Sequence, residues 1–232
     1  FRLWERMGMT VGFLPYSIVG YNMNQVKSIS TDEYGNPINS LSTYSGDGSL
    51  QQVFMGLGFK VLESLSVGAN FSYLYGNITH SVNTTFSNTN AYSSVRSEKM
   101  EISDYKLDFG LQYTHNFGKK HKINLGAVYS FGHDLNGNGY NLKETYQSGS
   151  TIPMTQTVDT LKNAFSLPHS LGIGATYVYN NRLTVGVDYT LQKWEEVKFF
   201  NEKGNFQNRS KISMGAEYLP NPISRNYLNR IR

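Results

Sequence analysis

The stretch Leu65-Ser66-Val67-Gly68-Ala69-Asn70-Phe71-Ser72-Tyr73-Leu74-Tyr75 decides the fold. Every odd position is apolar or aromatic, while Ser66, Gly68, Asn70 and Ser72 are small or polar. Successive side chains of a strand point to opposite faces, so this segment has one dry face and one wet face. The same parity returns at Tyr105–Tyr113, Ile123–Phe131, Leu171–Tyr179 and Leu183–Leu191. Soluble strands run about five or six residues, whereas a tilted membrane strand needs roughly nine to eleven. These runs have the membrane length, so the expected fold class is all-β, a transmembrane antiparallel up-and-down barrel.

Composition agrees. The 232 residues, with 17 Tyr and 22 Gly, suit one barrel-sized domain over residues 1–232. The longest nearly apolar run, Val53 to Phe59, falls far short of the roughly 18 residues a membrane helix requires. A mean hydropathy of −0.43 does not argue against a membrane, because a barrel shows lipid only alternate residues. The net charge of +4 is spread over turns such as Gly118–Lys122, without the basic stripe of a nucleic-acid site. No nucleic acid is expected as a partner.

Short connections fall at residues 62–64, 116–120, 180–181 and 220–222, and longer Ser/Thr/Asn/Gly-rich ones at about 26–49, 80–97, 134–157 and 198–208. Short turns on one rim and long loops on the other mark outer-membrane barrels, with the short turns periplasmic. By this rule Met7–Tyr21 runs up, Leu50–Val61 runs down, and alternation to Ser210–Leu219 gives about eight strands. Aromatic residues near the strand ends, among them Tyr16, Tyr73, Tyr75, Tyr105, Tyr113, Phe117, Tyr129, Tyr177, Tyr179, Trp194 and Tyr218, are expected as interfacial girdles. Phe1–Arg6 has no leader pattern and Tyr227–Arg232 reads like the start of another segment, so the chain is expected to be an internal piece of a longer barrel. Its expected surroundings are the multi-pass outer membrane of a Gram-negative cell, with membrane lipid and lipopolysaccharide as partners.

Parity also nominates lumen residues. Lys60, Asn70, Lys106, Asp108, Asp188 and Glu217 fall on the wet face, as pairs or lining groups. Phe54, Leu74 and Val128 are apolar on that same face and are candidates for an apolar path. Asp134, Asn136 and Asn138 fit the first half of a calcium loop, but its twelfth position is Thr145 and no helices flank it. That segment reads as the tip of an extracellular Asn/Gly-rich loop. The five histidines are scattered, and no nucleophile–base pattern or phosphate loop occurs. No cofactor, metal or enzymatic activity is implied.

A resemblance adds to this reading. Phe1–Trp4 leading to Gly8–Ser17, then Tyr44–Val53, Leu65–Asn70 and Glu217–Asn221, resembles the long-chain fatty acid transporter family of outer-membrane proteins in its Bacteroidetes form. The resemblance implies a barrel of about fourteen strands with an N-terminal hatch, and the hatch and the last strands are expected to lie outside this stretch. It implies passive transport of fatty acids or aromatic hydrocarbons, leaving sideways through a kinked early strand. Met7–Tyr21, with Gly12 and Pro15, would be that strand, because Pro15 lacks the N–H that a ladder needs. The alternative implied function is a barrel that docks or shuttles partner proteins through its extracellular loops, as in relatives from type IX secretion.

Overall fold

The computed structural model describes residues 1–31, 33–88, 90–147, 149–200, 202–203 and 206–219. Its strands are β1 (Arg2–Trp4), β2 (Met7–Thr31), β3 (Pro37–Lys60), β4 (Leu65–Phe86), β5 (Ser93–Phe117), β6 (His121–Ser130), β7 (Asp134–Leu135), β8 (Gly137–Tyr146), β9 (Thr155–Lys162), β10 (Phe165–Ser166), β11 (Ser170–Tyr179), β12 (Leu183–Gln192), β13 (Lys198–Phe199), β14 (Glu202–Lys203) and β15 (Arg209–Tyr218). A single 3-10 turn, Trp194–Glu196, interrupts them. The turn expected at 220–222 lies outside the described residues.

One antiparallel sheet runs β1-β2-β3-β4-β5-β6-β11-β12-β15, and β8 and β9 extend it beside the outer half of β5. Register aligns the apolar parity across it. Phe59, Val67 and Leu111 share one face, as do Tyr129 with Leu171 and Val185 with Tyr177. The sheet is therefore a curved wall with lipid-compatible side chains outside and Gly, Ser, Asn and Asp inside. Counting β6 with β8 and β9 with β11 as single interrupted passes, the described residues cross eight times, as the parity predicts.

The long connections differ from expectation. Most of residues 26–49 and 80–97 continue β2 to β5, which reach 22 to 25 residues, and 134–157 contains β8. At about 3.3 Å per residue the longest run about 80 Å, well beyond the roughly 30 Å hydrocarbon layer. The signal missed was alternation without hydrophobicity. Above the membrane both faces meet water, so Ser, Thr and Asn serve as well as Val, and cross-strand hydroxyl pairs such as Ser42–Thr84 (3.1 Å) and Ser81–Ser97 (2.9 Å) tie the wall together.

Inward glycines have a specific use. Gly12 faces Phe54, Gly56 faces Asn70 and Gly174 faces Asp188 as directly opposed partners, and each partner's side chain lies where the glycine's Cβ would stand. Gly48 and Gly76 have φ of +122° and +141° and press against the backbone of the neighbouring strand, so no side chain fits there.

A plugged lumen beside an interrupted wall

A second, four-stranded sheet runs β14-β13-β10-β7; β7, β13 and β14 fall in segments that the polar composition assigned to extracellular loops, and β10 lies between them in sequence. The sheet folds inward instead. Leu135, Ala164, Phe165 and Leu167 are buried with Leu50, Leu74, Ile78 and Ile102 from the concave faces of β3, β4 and β5. Phe165 meets Phe199 and Phe200 edge-on at 5.5 and 5.0 Å. An apolar plug thus packs against the concave side of the upper wall. It is latched by Lys198, whose Nζ lies 2.5 Å from Asp134 Oδ2, while Ser166 donates to Asp134 Oδ1 at 2.7 Å. These bonds hold the Asp134 carboxyl below its ordinary value, Lys198 having the largest effect.

This corrects two expectations. Asp134 and Asn136 belong to the plug rather than to a loop tip, and Asn138 sits on β8 opposite Glu101. Trp194 is not part of the girdle: it starts the 3-10 turn leading into the plug, donates to Gln192 and packs on Phe206. The signal that could have found the plug is the apolar residues stranded in polar surroundings, at Leu135, Phe165, Leu167, Val197 and Phe199–Phe200.

The inward folding interrupts the wall. β5 pairs with β6 from Phe117 to Asp108 and with β8 from Ile102 to Ser93, so among the described residues no strand pairs with residues 103–107 on that edge. Two backbone bonds close the ends of the break, Ser103 N to Asn136 O and Phe131 N to Leu107 O, both 3.2 Å. Within it the Asp104 carboxylate replaces the ladder, accepting from Tyr105 N at 2.7 Å and Asn136 N at 2.6 Å. The His133 ring lies flat on Tyr105 with centroids 4.7 Å apart. Its Nε2 is buried without a hydrogen-bond partner, 3.6 Å from Asp104 Oδ2. The bend needs Gly132, where a Cβ would stand 2.5 Å from His169 N and 2.6 Å from Leu167 O.

Below the plug the concave face forms an open cavity of about 770 Å³, bordered by Gly68, Gly110, Gly126, Gly172 and Val128. The three residues proposed for an apolar path are not brought together. Leu74 is fully buried under the plug, the Phe54 ring covers Gly12, and Val128 borders the cavity half-exposed. Lys106 and Asp108 pair with each other, Asn70 and Asp188 fold over their glycines, and the register puts Glu217 on the concave face opposite Thr184. Lys60 sits at the rim, paired with Glu63 at 2.7 Å, rather than lining the lumen. Pro15 does not break the β2–β3 ladder. It pairs with Gln51 and a one-residue bulge at Tyr16 follows, after which pairing continues to Thr31. Proline is tolerated at bulges and on edge strands, and no strand pairs with the other edge of β2 beyond Gly8 among the described residues.

Membrane-length strands, a lipid-compatible outer face and inward-folded connections packed on the concave face define the wall of a transmembrane β-barrel. The chain belongs to the BamG family, whose profile matches residues 2–232. No curated protein sequence matches it. Two solved structures share the fold. The toluene transporter TbuX of Ralstonia pickettii has a TM-score of 0.58 at 14% identity, over 94% of this chain and 75% of that one. The monoaromatic hydrocarbon channel CymD has a TM-score of 0.50 at 15% identity, over 93% and 71%.

Proposed function

We propose that this chain is part of an outer-membrane barrel that passes small hydrophobic compounds by an energy-independent route, with a sideways exit through the break at Tyr105. The observation that carries the reading is the break itself. It lies at the outer end of the membrane-length strands, beside an apolar plug packed on the concave face. A hydrophobic solute reaching the plug gains more from lipid than from water, at about 25 cal/mol per Å² of apolar surface, so a lateral path is favourable wherever the ladder is open. The likeness to a toluene transporter and an aromatic-hydrocarbon channel supports this substrate class, fatty acids or aromatic hydrocarbons. That both neighbours are a transporter and a channel also supports a non-enzymatic reading.

The test is a reversible lock across the break. Tyr105→Cys with His133→Cys, in cysteine-free protein, should lose most hydrophobic-substrate uptake on oxidation and recover it with a reductant. Unchanged uptake in the oxidised form, with the cross-link verified by mass, overturns the lateral exit.

A second reading, partner docking, is supported by wall height. β2 to β5 and the β8–β9 hairpin rise far beyond the bilayer, offering protein partners a tall polar surface. Uptake that is unaffected by the lock, together with a partner retained through this outer wall, would favour it.

A further inference from the structure

The opposite rim carries a separate arrangement on the lipid-facing side of β5, β6 and β11. In the row nearest the turns, Phe117, His121 and Tyr179 stand side by side, followed by His115, Ile123 and Tyr177, then Tyr113, Leu125 and Ala175. The side chains pass from turn cations through imidazole and phenol rings to aliphatic groups. Tyr177 OH and His121 Nδ1 are 2.6 Å apart, His121 lies 5.0 Å from Tyr179, and His115 meets Phe117 edge-on at 4.3 Å. Asn180 N donates to Lys120 O at 2.6 Å, which clamps the two short turns together and gathers Lys119, Lys120 and Arg182. All these cations and rings but Ile123 and Ala175 are exposed.

Charge is segregated here. No Asp or Glu occurs from Phe109 to His133 or from Leu167 to Val187; across the ladder the acidic position closest in register to Arg182 is Glu217 on β15, on the concave face opposite Thr184. Exposed cations at a membrane rim, with aromatic rings immediately inward, match the layers of a phospholipid, from phosphate through glycerol ester to acyl chain. The short side chains of Ala127 and Ala175, among Leu111, Leu125 and Ile173, leave relief for an acyl chain in the last layer.

We propose that this patch is a binding site for an anionic phospholipid of the inner, periplasmic leaflet. Lys119, Lys120 and Arg182 hold its phosphate, and the His121–Tyr177 pair lies at its ester region. The proposal rests on the membrane-spanning reading with short turns periplasmic, and is independent of what the barrel passes. The full-length protein would be placed in nanodiscs of phosphatidylethanolamine with a minority of phosphatidylglycerol, and retained lipid read by native mass spectrometry. Wild type should retain phosphatidylglycerol well above its bulk ratio. Lys119→Gln combined with Lys120→Gln and Arg182→Gln should lower that retention by about tenfold or more, since each surface cation attracts anionic lipid measurably. Arg96→Gln with Lys143→Gln, far above the membrane, should leave it unchanged. Retention at the bulk ratio in wild type, or equal retention in the triple variant, overturns the site. Failure of the folded protein to enter nanodiscs overturns the membrane-spanning reading itself.

Discussion

Asp134 and Lys198, 64 residues apart, join the first and last inward-folded segments of the plug through a 2.5 Å ion pair. Half of the aspartate and a third of the lysine side chain remain exposed, so the pair contributes about 1 kcal/mol at most. It therefore acts as a latch on a plug that apolar burial already holds.

Because the folded-state pKa of Asp134 is depressed, the latch is fully formed above the unfolded-state value and is lost as pH falls through the folded one, in the acid range below about pH 4. Single-channel current through the full-length protein in a planar bilayer should show more frequent openings below that pH. Lys198→Met should raise opening about fivefold at neutral pH and abolish this acid dependence.

Phe165 is 2% exposed and contacts two further rings, so its removal leaves a cavity that the short β7 and β10 strands cannot refill. Phe165→Ala should cost the plug about 3–5 kcal/mol. The expected readout is a leaky lumen, with increased entry of a small polar solute, while the wall keeps its resistance to unfolding in detergent. Equal leak in both proteins would show that the plug is held from elsewhere.

The wall was legible because lipid enforces parity. From Leu65 to Tyr75 and from Leu183 to Leu191, one misplaced polar residue would face hydrocarbon, so the pattern is strict. The plug was not legible, because strands of two residues are too short to show a period and their flanks, such as Gly137–Asn138–Gly139 and Ser166, have turn composition. Leu74 shows the limit in a single residue. Parity placed it on the lumen face, but only tertiary packing buries it under Phe165 and its neighbours instead of exposing it to a permeant. Pro15 shows a related limit: a missing donor identifies where a ladder tolerates a defect, and on the β3 side a bulge at Tyr16 absorbs it.

Gly132 sets the bend that takes the chain out of the wall. The atoms a Cβ would strike there are backbone atoms of Leu167, Pro168 and His169, which cannot rotate away. Gly132→Ala should therefore destabilise the bend by about 1–3 kcal/mol and displace His133 from Tyr105. Cross-linking between Tyr105→Cys and His133→Cys should slow markedly when Gly132→Ala is added, and an unchanged rate would show that the bend accommodates the methyl group.

Pro15 gives the sharpest contrast between the two possible exits. Had it opened the wall, Pro15→Val would restore a ladder bond and close the route, lowering uptake. The β2–β3 pairing continues on both sides of it, with Gln51 opposite Pro15 and Leu50 opposite Ser17 and the irregularity limited to a bulge at Tyr16, so valine has little pairing with β3 to restore. Valine also suits an outward, lipid-facing position beside Phe13 and Val53. Pro15→Val should leave hydrophobic-substrate uptake within about twofold of wild type and stability within about 1 kcal/mol, both small on the scale of ordinary substitutions. Uptake measured beside the oxidised Tyr105→Cys/His133→Cys protein then separates the alternatives: loss in the locked protein alone places the exit at β5, and loss in Pro15→Val alone returns it to β2.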